Sequence, residues 1–165
     1  MILNKSCQLE EISKNGLLTA LKSTPLRVER CCKLRKSVVP MKDKTNRKLL
    51  CRSNALTVGG RGIRFEVTDQ TNTYSAFVVR STKGVASFVN QCTHLALELD
   101  WNPGEFFDAD GQNLVCATHG ALYNPITGAC VGGACSGKPL QVLTIIETGG
   151  CIYLEDEAYR LIGCV

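Results

Sequence analysis

Nothing in this sequence reads as a membrane span, because no apolar run approaches the roughly 18 residues such a helix needs. A secretory signal is also missing: no apolar core stands between a basic start and a small-residue cleavage site. There is no twin arginine, and Glu10 and Glu11 sit early, against an organelle transit peptide, which avoids acids. A cytoplasmic location is the expectation. No Gly-rich dinucleotide fingerprint opens a helix, since Gly59-Gly60-Arg61-Gly62 leads into a strand-like segment instead. Internal repeats and low-complexity stretches are absent. Histidine is the scarcest chemically active residue, with only His94 and His119 in 165 positions.

At 44% hydrophobic and 21% charged, the composition is that of a globular protein, neither collagen-like nor wholly disordered. Ten cysteines exceed ordinary usage but fall short of the roughly 8–10% of a disulfide scaffold. Charge is divided unevenly. Residues 1–55 hold thirteen Lys and Arg against four acids, whereas residues 56–165 hold six against eleven. The expectation is a basic leader over 1–50 without regular structure, followed by one domain over 51–165. Within the leader, Cys31-Cys32-Lys33-Leu34-Arg35-Lys36 and Lys42–Arg52 form basic clusters of the kind that attract acidic partners, although no nucleic acid is expected as a partner. The vicinal Cys31-Cys32 is also a place where lipid could attach. Leu9–Leu21 has helical apolar spacing broken by Gly16, which makes a marginal helix, and Met41 is an alternative start.

From Gly59 the pattern changes. Gly62–Val67 alternates apolar and polar residues, the period of a half-buried strand. Ser75–Arg80 and Val85–Val89 follow as a hairpin around Ser81-Thr82-Lys83-Gly84. Asn113–Cys116, Leu140–Glu147 and Cys151–Leu154 are further strand candidates. Short strands with Gly-rich turns predict an all-β fold, a small antiparallel sandwich or barrel. A body of this length can bury a core without staples.

Both histidines lie beside a cysteine: Cys92-Thr93-His94 and Cys116-Ala117-Thr118-His119. Together they offer two thiolates and two imidazoles, enough for a four-ligand site. Structural zinc takes such a set, but its usual boxes pair Cys with Cys and His with His. A [2Fe–2S] cluster with two His on one iron needs two tips that each supply one Cys and one His, and mixed boxes meet that demand. Buried thiols with hydrogen-bonded histidines are the third possibility.

These boxes resemble those of Rieske-type iron–sulfur proteins, whose pattern is C-x-H followed, after loop and strand, by C-x₂-H-G. Cys92-Thr93-His94-Leu95 and Cys116-Ala117-Thr118-His119-Gly120 match it. Tyr123, the run Thr127–Gly133 and Gly137-Lys138-Pro139-Leu140 also resemble the family, the last two belonging to a third loop that covers the cluster. The resemblance covers roughly 51–165 and implies an all-β fold with a cluster-binding subdomain. It further implies one [2Fe–2S] cluster, with Cys92 and Cys116 on one iron and His94 and His119 on the other, solvent-facing iron.

Some positions depart from the family. Leu97 and Thr118 stand where membrane cytochrome-complex members carry a disulfide pair, and Ala121 stands where they place a sulfur-bonding serine. Loss of a hydrogen bond to sulfur implies a midpoint in the lower part of the range from about −150 to +300 mV. Gly132-Gly133-Ala134 replaces a frequent Gly-Gly-Pro, which leaves the stiffness of the covering loop open. Cys130 and Cys135 flank that loop, and reduced thiols are the default for a cytosolic carrier.

The function implied is one-electron transfer by a ferredoxin-like component, between a reductase and an oxygenase or related enzyme. The carrier itself is not an enzyme. A complete oxygenase would need a further mononuclear iron site, commonly of two His and a carboxylate, and both histidines are already used. A small Rieske subunit or structural module of a larger reductase complex is the alternative, as is a zinc- or cluster-dependent binding module. Between His94 and Cys116 lie Glu98, Asp100, Glu105, Asp108 and Asp110 with no base. They form either a solvated loop or an acidic docking edge that would make electron transfer salt-sensitive.

Overall fold

The computed structural model describes residues 47–135 and 137–164. The expected leader over 1–50 therefore lies almost wholly outside the described residues, and so do the Leu9–Leu21 helix, Cys31-Cys32 and Met41.

Eleven strands and one 3₁₀ turn make up the described fold, with no α-helix among these residues. The strands are β1 Lys48–Arg52, β2 Ile63–Thr68, β3 Thr73–Ser81, β4 Gly84–Val89, β5 Leu114–Val115 and β6 Leu122–Tyr123. After these come β7 Cys130–Gly132, β8 Val142–Leu143, β9 Ile145–Thr148, β10 Cys151–Leu154 and β11 Arg160–Cys164. Three antiparallel sheets result, with strand orders β1-β10-β9, β11-β2-β3-β4-β8 and β5-β6-β7. The fold is all-β, as predicted. Among the described residues no helix is long and apolar enough to cross a membrane.

The β3–β4 hairpin is the wall between two cores, and side-chain alternation along a strand explains how it serves both. Phe77, Val79, Ala86 and Phe88 face one core, with Phe106, Leu114, Tyr123 and Leu140. Ala76, Val78 and Val89 face the other, with Leu50, Phe65, Val67, Ile152 and Leu154. A strand buried on both faces has no polar side to show, so the run Ala76–Val79 is continuously apolar. Phe77 stacks on Phe106 with ring centroids 3.8 Å apart, pinning the segment between the two Cys–His boxes to the wall. Truncating a buried ring of this kind to alanine typically costs about 3–5 kcal/mol.

Where sequence and structure differ, the cause is local. The predicted strand Leu140–Glu147 is two strands, β8 and β9, broken at Thr144. There the Thr144 N–H turns away to Asp156 Oδ2 (2.8 Å) and its carbonyl accepts from Glu155 N–H (2.9 Å). The first strand begins at Lys48, ahead of the expected boundary at 51, and buries Leu50 and Cys51 by pairing with β10. A chain begun at 51 would lose most of that strand.

The β2–β3 turn is closed by one carboxylate. Asp69 Oδ1 accepts the N–H groups of Thr71 (3.1 Å) and Asn72 (2.9 Å), and Oδ2 accepts the Tyr74 hydroxyl (2.9 Å). The amides of Asn72 and then Thr71 hold this carboxyl at about 2, below its ordinary 3.8. A depressed folded-state pKa gives stability that is present above the unfolded value and lost as the pH falls through the folded one. The wild type should therefore be more stable than Asp69→Asn at neutral pH, with the gap closing between pH 3.8 and about 2. Urea unfolding across that window reads the difference, and a gap independent of pH would contradict the assignment.

Candidate metal centre

Three loops meet at one end of the small β5-β6-β7 sheet. The first, after β4, carries Cys92 and His94; the second, between β5 and β6, carries Cys116 and His119; the third follows β7. Each closes on itself and grips its neighbours. The Cys92 N–H donates to the Leu97 carbonyl (2.8 Å), and the Cys116 N–H to that of Ala121 (2.9 Å). The Ala117 N–H reaches the Leu99 carbonyl (2.8 Å), joining the second loop to the first. Gly133 packs the third loop on the second so closely that a Cβ would collide with the Gly120 carbonyl oxygen. Its φ of +70° also favours glycine.

The structure thus gathers all four sequence-predicted residues and sorts them by solvation. Cys92 and Cys116 are 5% and 2% exposed, whereas both histidines lie at the surface. The two imidazoles stand nearly perpendicular with centroids 5.2 Å apart.

Tyr123 links the loops. Its hydroxyl lies 3.2 Å from Cys92 Sγ and 2.9 Å from Thr93 Oγ1, and it accepts the Thr93 N–H at 3.2 Å. The Thr93 hydroxyl faces the carbonyls of Cys135 (3.1 Å) and Lys138 (3.2 Å), which can only accept. With that proton on the third loop, the single Tyr123 proton is shared between Thr93 Oγ1 and the sulfur. Burial opposes the Cys92 thiolate, but hydrogen bonds from Tyr123, the His94 and Leu95 amides and Cys116 outweigh it, so the thiol sits below its ordinary value. Burial, then the Cys92 sulfur, pushes the Tyr123 phenol up.

One expectation needs correction. Reduced thiols throughout were expected, but Cys130 and Cys135 form a disulfide with Cα atoms 5.8 Å apart, because β7 and the third loop double back. Cys92, Cys116 and Cys151 are free thiols. In the acidic segment Glu98, Glu105 and Asp110 are exposed, and most of its carboxylates have partners. Glu98 is held by Arg64 (2.7 Å) and Glu105 by Arg61 (3.6 Å). Buried Asp100 accepts from Asn90 Nδ2 (2.8 Å) and the Gly104 N–H (2.7 Å). Asp108 caps the turn at Gln112 (2.8 Å), and Asp110 stays at the surface. These carboxylates tie the segment to the body. Sequence reading missed the latching roles of Arg64, Asn90 and Thr93; only Thr93, inside the first box, carried a local signal.

Among the described residues no three His, Cys, Asp or Glu converge on one point as for a single ion. A cluster with two Cys on one iron and two His on the other asks for no such convergence, since each iron takes two protein ligands. An all-β domain with three apposed loops, two buried thiols and two surface imidazoles has the architecture of an iron–sulfur protein. Residues 46–146 match the Rieske [2Fe–2S] domain model, and the chain belongs to that family. The domain binds a [2Fe–2S] cluster.

Solved structures agree on the fold. The ferredoxin of carbazole 1,9a-dioxygenase from Nocardioides aromaticivorans IC177 is 20% identical, with a TM-score of 0.53 over 68% of this chain and 100% of that one. The Sphingomonas yanoikuyae B1 ferredoxin is 21% identical, with a TM-score of 0.51 over 67% and 99%. Dicamba monooxygenase is 18% identical, with a TM-score of 0.52 over 67% of this chain and 32% of that one. No curated protein matches in sequence.

Hydrogen bonds to cluster sulfur favour the electron-rich reduced state. Tyr123→Phe should therefore lower the midpoint potential in a redox titration while the visible spectrum persists; an unchanged or higher midpoint would mean that the hydroxyl does not act on the sulfur. Gly133→Ala should displace the third loop and speed cluster loss on storage in air, read as bleaching. A variant that bleaches like the wild type would show that the loop can yield at that contact.

Proposed function

We propose that this protein is a ferredoxin-like one-electron carrier in which Cys92 and Cys116 hold one iron of the cluster and His94 and His119 the other. The observation that carries the reading is the sorting of the four side chains, two buried thiols behind two surface imidazoles. The cluster supplies a reversible one-electron couple when bound. The chain's own residues do the rest. Tyr123 and the His94 and Leu95 amides steady the Cys92 sulfur, and the exposed imidazoles offer a short path to a partner.

The fold spans 100% and 99% of two ferredoxin chains but 32% of dicamba monooxygenase. In the proposed setting a reductase supplies the electron, an oxygenase or related enzyme takes it, and the carrier works in the cytoplasm without catalysing a reaction itself.

Iron and sulfide analysis of anaerobically purified protein tests this, with EPR of the reduced form. Equal amounts of iron and acid-labile sulfide and the spectrum of a His-ligated cluster are expected, and His94→Ala and His119→Ala should each abolish or destabilise it. Stoichiometric zinc in colourless protein, or unchanged spectra in both variants, would overturn the ligand assignment.

A further inference from the structure

The Cys130–Cys135 bridge is unusual in what it spans. It closes a loop of only five residues' separation. Because the entropy that a cross-link removes from the unfolded chain grows with loop length, a bridge this short does little as a global staple. Its effect is local, on the third loop, where Gly132-Gly133-Ala134 supplies no proline to stiffen the chain.

Its two sulfurs are placed differently. Cys130 is half-buried beside exposed Val131, whereas Cys135 is fully buried. An incoming thiolate therefore meets Cys130 Sγ first. The buried sulfur has somewhere to go once released: Cys135 Sγ lies 3.0 Å from the Gly132 carbonyl and 3.6 Å from that of Leu122, both ready to accept an S–H. A buried thiol is thus satisfied in the open state, and the loop has two acceptable arrangements rather than one.

The bridge also joins the chain of contacts that ends at the site. The Cys135 carbonyl accepts the Thr93 hydroxyl (3.1 Å), Thr93 Oγ1 lies 2.9 Å from the Tyr123 hydroxyl, and that hydroxyl lies 3.2 Å from Cys92 Sγ. We propose that Cys130–Cys135 is a thiol–disulfide exchange site, opened by a protein dithiol, through which the surrounding thiol pool sets the hydrogen bond on Cys92 and with it the midpoint potential of the cluster. The potential part rests on the ligand reading above; the exchange part does not.

The chemistry balances within the two partners. A thiolate of the dithiol attacks Cys130 Sγ, forming a mixed disulfide, and the Cys130–Cys135 bond breaks with its electron pair on Cys135 Sγ, which takes a proton. The second thiol of the reductant, as thiolate, then attacks its own partner's sulfur in the mixed disulfide, and Cys130 leaves and is protonated. Two electrons and two protons have passed to the bridge, and the reductant has become a disulfide. With the bridge open, the Cys135 carbonyl is no longer held against Thr93. The Thr93 hydroxyl can then donate to the Tyr123 oxygen, which leaves the Tyr123 proton to the sulfur alone and strengthens that bond.

Anaerobic holoprotein treated with dithiothreitol, freed of the reagent and alkylated, tests both parts. Peptide mass mapping should show carbamidomethyl groups at Cys130 and Cys135 only after treatment, with Cys130 labelled faster. The treated protein should have a higher midpoint potential and, with the covering loop loosened, bleach several-fold faster in air. Cys130→Ser and the double variant Cys130→Ser/Cys135→Ser should already sit at the higher midpoint and ignore dithiothreitol. A bridge that resists dithiothreitol in the folded protein overturns the exchange site. A bridge that opens while the midpoint stays put, or serine variants with the wild-type midpoint, overturns its link to the cluster. Mass mapping reads the exchange whether or not the cluster has the ligands assigned to it, so failure of that assignment is separately visible.

Discussion

Two thiols must be kept dry and two imidazoles kept wet within one small assembly of loops. A buried sulfur anion is costly unless donors surround it. Here the donors come from the loop that bears Cys92 and from Tyr123, whose ring is fully buried and whose hydroxyl alone reaches the sulfur. That demand explains why the small sheet is packed against the β3–β4 wall. Phe77 and Phe88 from the wall form one core with Tyr123, Cys92 and Cys116, so the base of the centre is as rigid as the protein interior.

The loops would splay without a second set of contacts. Arg64, on the wall's neighbouring strand, donates to both oxygens of Glu98 (2.7 and 2.8 Å) and to Ser75 Oγ (3.1 Å), and approaches Asp100 at 3.6 Å. Asn90 donates to Asp100 and accepts the Leu99 N–H at 2.9 Å, so one amide side chain reads both backbone and carboxylate. A buried pair of this kind contributes little net energy over an apolar replacement, yet breaking one partner is strongly destabilising. Its value lies in fixing where the first loop leaves the body. Most of the acids between the boxes thereby have a structural role, and the exposed surface at the centre includes His94, His119, Leu95 and Leu97.

The third loop is held by different means. Gly133 is pressed on Gly120, Thr93 takes two of its carbonyls, and a disulfide ties it to β7. The first two contacts act only in the assembled centre, whereas the disulfide is covalent and responds to chemistry outside it. One element of the cover is thus open to outside chemistry while the rest is fixed by packing.

Much of this was legible in the sequence, for reasons that differ by element. Alternation in Gly62–Val67 and the apolar hairpin Ser75–Val89 foretell β2 to β4, because strand periodicity is written residue by residue. The mixed boxes foretell four site residues, because ligand chemistry restricts residue type and spacing together. Strands of two or three residues, such as β6 and β7, and the basic β1 escaped notice, since they exist only through their partners and carry no period of their own. The same holds for Arg64, Asn90 and the Cys130–Cys135 pair. Whether a carboxylate faces water or an arginine, and whether two thiols meet, depends on where the chain returns after tens of residues or one tight reversal. Composition named the acids between the boxes; folding alone gave most of them partners and buried one, Asp100.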